Sequence, residues 1–199
     1  MTEPIKAWLS IGSTYSYLTA LRINAIKHEQ GLNFLVKPIS IRAIMKSMDN
    51  IPFPPSKKTK VDYMWRDIER RANWYDLPKP KLPVPYPLQA FDQANKVGIV
   101  LNQQGKYFEY FEETYRIWFV SGIEAGSEEN LRLVFKNMQL DYDGIMHRAA
   151  DKSIKEIYEE NTEEAKKLGV FGAPSFSIGN EIFWGDDRLE DAIRFAANQ

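Results

Sequence analysis

Cysteine is absent from the 199-residue chain, which removes disulfide bridges, thiolate metal sites, a Cys-x-x-Cys redox pair and any thiol nucleophile of the protein's own. Sulfur chemistry would have to arrive on a ligand. Histidine is scarce as well: His28 and His147 are the only two, each in a polar, helix-like context that fits a solvated residue better than a general base or a metal ligand. No metal site is expected. A Ser-His-Asp site finds no support either, since no Gly-x-Ser-x-Gly elbow follows a strand. Neither sign of charge prevails, with 26 Lys and Arg against 27 Asp and Glu, so nothing marks a nucleic-acid surface. No apolar run approaches the roughly 20 residues that a membrane span needs, and MTEPIKAWL at the start lacks a basic region followed by a long apolar core. The expectation is a cytoplasmic protein with no membrane or nucleic-acid partner.

With 44% apolar residues the chain can bury a substantial core, as one domain or one domain with an insertion. Residues 5–11 (IKAWLSI) read as a strand that Gly12 ends. Ser13 and Thr14 then precede apolar residues at helical spacing up to Gly31, which places Ser13 at or beside a helix N-cap. Residues 33–41 (NFLVKPISI) give a second strand, with Pro38 at a sheet edge or strand end. A proline- and lysine-rich connector, residues 50–60, leads to a helix over 61–75. Tyr63, Met64, Ile68 and Trp74 are its bulky residues, and Asp67, Glu69, Arg70 and Arg71 are read as outward. Residues 77–88 (LPKPKLPVPYPL) hold five of the eleven prolines and predict an extended crossing segment with Val84, Tyr86 and Leu88 available for burial. Further helices are expected near 90–104, 107–120, 127–137, 143–150 and 152–168. Ser127 and two glutamates start the third of these. No internal repeat or low-complexity run is present.

The most organised stretch is 169–188 (GVFGAPSFSIGNEIFWGDDR). Pro174 can carry a cis bond and pushes Ala173 into an extended conformation. Phe176, Ile178, the Gly179-Asn180 turn, Ile182 and Trp184 follow as a hairpin, and Gly185-Asp186-Asp187-Arg188 opens a last helix whose acidic start suits the dipole. On these residues alone, a hairpin and terminal helix that only close a core are the favoured reading over a ligand site. Strand, helix, strand at one end and hairpin, helix at the other, around a helical middle, make an α/β chain with an insertion.

Three segments together, IGSTYSYL, YMWRDIERRANWYDLP and GVFGAPSFSIGNEIFWGDDRL, resemble the 2-hydroxychromene-2-carboxylate isomerase family, relatives of kappa-class glutathione transferases and of thioredoxin-like, DsbA-like disulfide oxidoreductases. The resemblance spans nearly the whole chain in order. It implies a thioredoxin-like fold built from residues 1–43 and 169–199, with a large all-helical insertion over 44–168, binding glutathione as a homodimer.

It also implies roles. Ser13 matches the serine that contacts the glutathione sulfur, as a hydrogen-bond donor, and Thr14 stands where that family has proline, a hydroxyl beside the thiol position. Ala173, before Pro174, would pair its backbone with the cysteinyl part. Trp184, Gly185, Asp186, Asp187 and Arg188 would hold the γ-glutamyl end. For Ser13, Asp186 and Asp187 simple helix capping is the alternative, and for Arg188 an ion pair with a neighbouring aspartate. Tyr15, Lys57, Lys58 and Tyr63, with Trp184, are candidates for an aromatic carboxylate substrate, the lysines for its charge and the rings for stacking. The implied activity is interconversion of 2-hydroxychromene-2-carboxylate and trans-o-hydroxybenzylidenepyruvate in aromatic catabolism, with the glutathione thiolate as nucleophile. A kappa-like transferase and a non-catalytic glutathione binder are the alternatives.

Overall fold

The computed structural model describes residues 3–50 and 55–199; part of the proline- and lysine-rich connector, 51–54, lies outside them. Alternating apolar residues build a four-stranded sheet in the order β2-β1-β3-β4, from β1 (Ile5–Leu9), β2 (Phe34–Pro38), β3 (Ser175–Ile178) and β4 (Glu181–Trp184). β1 runs parallel to β2 and antiparallel to β3, and β3 and β4 form the hairpin turned by Gly179-Asn180. Pro38 closes β2 on a sheet edge, where its missing N–H costs no ladder bond.

The single helix expected after β1 is two: α1 (Ser16–Ala20) and α2 (Ile23–Gln30), the second ended by Gly31 at φ 62°. Their break falls at Leu21-Arg22 and turns the Arg22 guanidinium to within 3.7 Å of the Tyr75 ring centre. After β2 come α3 (Ile41–Ser47) and α4 (Lys58–Trp74). The inner face of α4 buries Met64, Ile68 and Ala72. Tyr63 and Trp74 do not share it, being 58% and 81% exposed, because their angular positions on the helix lie opposite the Met64–Ile68 stripe.

Residues 77–88 cross the molecule without regular structure and bury Val84 and Leu88. Their carbonyls are used: Pro85 accepts from Trp118 Nε1 at 2.9 Å and Pro78 from the Tyr17 hydroxyl, while Lys81 N–H donates to Phe119 O at 2.8 Å. The remaining helices are α5 (Phe91–Gln103), α6 (Tyr107–Arg116), α7 (Glu128–Asn137), α8 (Tyr142–Ala149), α9 (Lys152–Leu168) and α10 (Leu189–Ala197). The helix expected to run on to 120 changes at its end into a π-helical turn, Ile117–Ser121. Ser127 caps α7 as expected, accepting from Asn130 N–H at 3.2 Å. No helix among the described residues is long and apolar enough to cross a membrane.

The sheet separates two cores. Ile5, Ala7 and Leu9 of β1 face the large one with Phe176, Tyr17 and the aromatic residues of α6. Trp8 faces the other way, with Ile39, Ile41, Ile44, Ala165 and Val170, as the period of two requires. Although it precedes β3 by a short link, α9 lies on that second side. Its Glu164 bridges Lys6 of β1 and Lys37 of β2 at 2.9 Å each, and Asn161 Nδ2 donates to Pro38 O at 3.2 Å.

Candidate functional site

The first half of the site is the chain leaving β1. A buried amide on α5 grips it from below: Asn95 accepts from Ile11 N–H at 2.8 Å and donates to Ile11 O at 2.9 Å. The Tyr115 hydroxyl of α6, fully buried, donates to Ser13 O at 2.8 Å and toward Ser10 O at 3.2 Å. Burial pushes that phenol far above its ordinary range, so it stays a donor. Between these anchors Ser13 N–H closes a turn onto Ser10 O at 3.3 Å.

Ser13 is partly buried, and its hydroxyl donates to Ala173 O at 2.6 Å. It is not an N-cap. The helix begins at Ser16, and the cap position, Tyr15, makes no side-chain bond to it. The two residues between Ser13 and α1 carry the hydroxyl away from the helix amides and across to the segment before β3. Thr14 does not flank the Ser13 hydroxyl either: it is buried, and its own hydroxyl donates to Met64 Sδ at 3.0 Å.

That facing segment is 171–174. Ala173-Pro174 is cis. Ala173 O is taken by Ser13, and Ala173 N–H has no hydrogen-bond partner among the described residues. A β-carbon at Gly172 would lie 2.1 Å from Trp184 Nε1, so only glycine lets the indole lie against this backbone. Trp184 remains 54% exposed and meets the half-exposed Phe171 edge to face, with ring centres 4.8 Å apart.

The second half is the turn after β4, tied to the first by Gly185 N–H donating to Pro174 O at 2.9 Å. Gly185 sits at φ 118°, open to glycine. Asp186, only 3% exposed, accepts from Arg71 Nη2 of α4 at 2.6 Å. Burial nonetheless pushes its carboxyl up to about 6, against the downward pull of Arg71. Asp187 stays 43% exposed by side chain, with Arg71 Nη1 4.0 Å away. Arg188 is a surface residue that pairs with Asp191 at 3.0 Å and Asp187 at 3.6 Å. Asp186 thus faces inward, leaving Asp187 as the open carboxylate of the pair.

Arg71 was expected to point outward and does the reverse. It donates to Asp186 and, at 3.0 Å, to Tyr75 Oη. Asn95, Tyr115 and Arg22 also stand outside the sequence-based set. A lone amide at an apolar face of α5 was the one visible signal among these. Tyr15 donates to Asp67 Oδ2 at 3.0 Å, and burial, then the Asp67 charge, raise its phenol further. Tyr63 lies exposed one turn before Asp67. Lys57, just before α4, and Lys58, its first residue, are both exposed, with Lys58 paired to Asp62. Ser13, Ala173, Pro174, Trp184, Gly185 and Asp186 therefore converge, and the lysines stand apart.

A sheet of this order, with a proline-led hairpin facing the loop after β1 and helices inserted between β2 and β3, is a thioredoxin-like fold with a helical insertion. The chain belongs to the family of DSBA-like thioredoxin domains, whose model matches residues 4–194. It is 27% identical to a 2-hydroxychromene-2-carboxylate isomerase of Sphingobium xenophagum over 96% of both chains. It is 23% identical to glutathione S-transferase kappa 2 of Caenorhabditis elegans over 97% of this chain and 91% of that one. A solved structure of a 2-hydroxychromene-2-carboxylate isomerase superposes with a TM-score of 0.84 at 23% identity, covering 98% of this chain and 94% of the other.

Proposed function

We propose that the chain is a glutathione-dependent isomerase that interconverts 2-hydroxychromene-2-carboxylate and trans-o-hydroxybenzylidenepyruvate. The observation that carries this reading is the Ser13 hydroxyl set 2.6 Å from the carbonyl of Ala173, whose N–H is open. Similarity to isomerases of that name supports it.

The residues fit glutathione. An extended cysteinyl peptide can pair with the Ala173 backbone, and the exposed Asp187 carboxylate, beside helix-start amides, suits a ligand that ends in an ammonium and a carboxylate. Glutathione, when bound, supplies a thiol nucleophile that is returned unchanged. Ser13 redirects its proton from Ala173 O to the sulfur position, which favours the anion of a thiol whose ordinary pKa is about 8.5. Tyr115 and Asn95 keep Ser13 in place. Trp184, Tyr15 and Tyr63 offer rings to the aromatic substrate, and Lys57 and Lys58 offer charge to its carboxylate. The reading includes the cytoplasmic setting that composition leads one to expect, the homodimer that the resemblance implies, open to sedimentation equilibrium, and a helical part over 44–168.

Calorimetry with glutathione and turnover of the chromene with glutathione present test the proposal. Ser13→Ala should keep the fold and lower kcat by about 100-fold, the loss typical of removing one hydrogen bond to a developing anion. Neither binding nor turnover in the wild-type protein would overturn it. The kappa 2 relative favours a second reading, transfer of glutathione to an electrophile. Mass spectrometry separates the two, because only a transferase leaves a stable conjugate.

A further inference from the structure

One face of α4 reaches both halves of the site. Met64, Asp67 and Arg71 recur at intervals of three and four residues, which stacks them along one side of the helix. Met64 receives the Thr14 hydroxyl at 3.0 Å, Asp67 the Tyr15 hydroxyl at 3.0 Å, and Arg71 binds Asp186 at 2.6 Å. Two segments far apart in sequence are thus fastened to a helix face two turns long.

Arg71 is itself braced. Its Nη2 also donates to Tyr75 Oη at 3.0 Å, the Arg22 guanidinium lies 3.7 Å from the Tyr75 ring centre, and Arg22 is paired with Glu190 of α10. Among the described residues, Arg71 Nε and Arg22 Nη1 have no hydrogen-bond partner.

We infer that Arg71 is a positioning residue: through Asp186 it sets the 185–188 turn relative to Ser13, so that the open Asp187 carboxylate and the turn amides meet a ligand already aligned with the Ser13 hydroxyl. The inference rests on the proposed glutathione site for its functional consequence, and on the ion pair alone for its structural one. Asp186 is faced by Arg71 from α4, by Arg22 from the α1–α2 junction, by Tyr15 from the loop after β1 and by Asp187 beside it, with Glu190 behind Arg22.

The test uses the full chain as wild type, Arg71→Met and Arg71→Lys. Amide hydrogen exchange without ligand should quicken roughly ten-fold at 185–188 in Arg71→Met, as expected for losing a charged hydrogen bond, with β1 and β3 amides unchanged. Arg71→Lys should fall between. Glutathione titrated calorimetrically at pH 7.5 should bind roughly ten-fold more weakly to Arg71→Met. Unchanged exchange at the turn, or loosening spread equally over the strands, overturns the inference. Faster exchange confined to the turn in a protein that binds no glutathione supports the clamp while refuting the proposed function.

Discussion

The two halves of the candidate site are held by opposite means. The loop carrying Ser13 is fixed by neutral groups: the Asn95 amide on Ile11 and the Tyr115 hydroxyl on Ser10 and Ser13. The turn carrying Asp187 is fixed by charge, with Asp186 buried against Arg71 and Arg22 close behind. Neutral hydrogen bonds to backbone carbonyls are the same at pH 5 and pH 8. A buried carboxylate that titrates at about 6 is not. The arrangement keeps the sulfur-facing donor rigid across pH and places any pH sensitivity at the ligand's far end.

The comparison breaks most visibly in stability against pH. Asp186 has its folded value raised to about 6, above the ordinary value of about 3.9, so the folded protein keeps a proton that the unfolded chain releases. Its contribution is fully present below about pH 4 and lost as pH rises through 6, by about 3 kcal/mol in all. Glu164 supplies the opposite sign. Burial opposes its charge, but bonds from Lys37 and Lys6 prevail and lower its carboxyl, so its contribution is present at neutral pH and lost on acidification. Urea unfolding of wild type and Asp186→Asn from pH 4 to 7 isolates the first term. The difference between the two proteins should change with pH over that window, and a constant difference would show that Asp186 is charged throughout.

Tyr115→Phe sharpens the other side. Removing the hydroxyl takes the donor from Ser13 O in a buried place, while Ser10 O keeps Ser13 N–H, at a cost of about 1–3 kcal/mol. Urea midpoints should give the same loss at pH 5 and pH 8. Turnover should fall with it, because Ser13 is no longer held opposite Ala173.

Much of this fold is written in short-range pattern. Alternation gives β1 to β4, Gly31 and Gly169 stop helices α2 and α9, and Ser127 announces α7, since each depends on residues within one turn of one another. The site is legible to a lesser degree. Ala173-Pro174 and Ser13 stand out as residue types beside strands, but the direction of the Ser13 hydroxyl depends on where α1 begins, and Ser16 rather than Ser13 begins it. Arg71 is the clearest miss. Spacing puts Arg71 beside the Met64–Ile68 stripe, but a charged side chain there ordinarily turns to solvent, and only a carboxylate 115 residues later holds it inward. The break at Leu21-Arg22 is hidden for the same reason, since Arg22 answers to Tyr75 and Glu190 and to nothing near it in sequence.

Arg188 gives the smallest expected effect and the finest test of the contrast. It neighbours Asp186 and Asp187 in sequence, yet its side chain is 52% exposed and satisfied by Asp191 at 3.0 Å and Asp187 at 3.6 Å. Exposed pairs of this kind contribute about 0–1 kcal/mol, because water and salt screen them and two long side chains must be ordered. Arg188→Ala should therefore alter stability by less than about 0.5 kcal/mol and glutathione affinity by less than about two-fold, with a slight gain in the freedom of Asp187. Calorimetry at 50 and 300 mM salt, concentrations on either side of about 0.15 M where screening acts over roughly 8 Å, checks both. A ten-fold loss of affinity on this substitution would make Arg188 a ligand contact, and would mean that charge at the turn acts through the surface as well as through the buried pair.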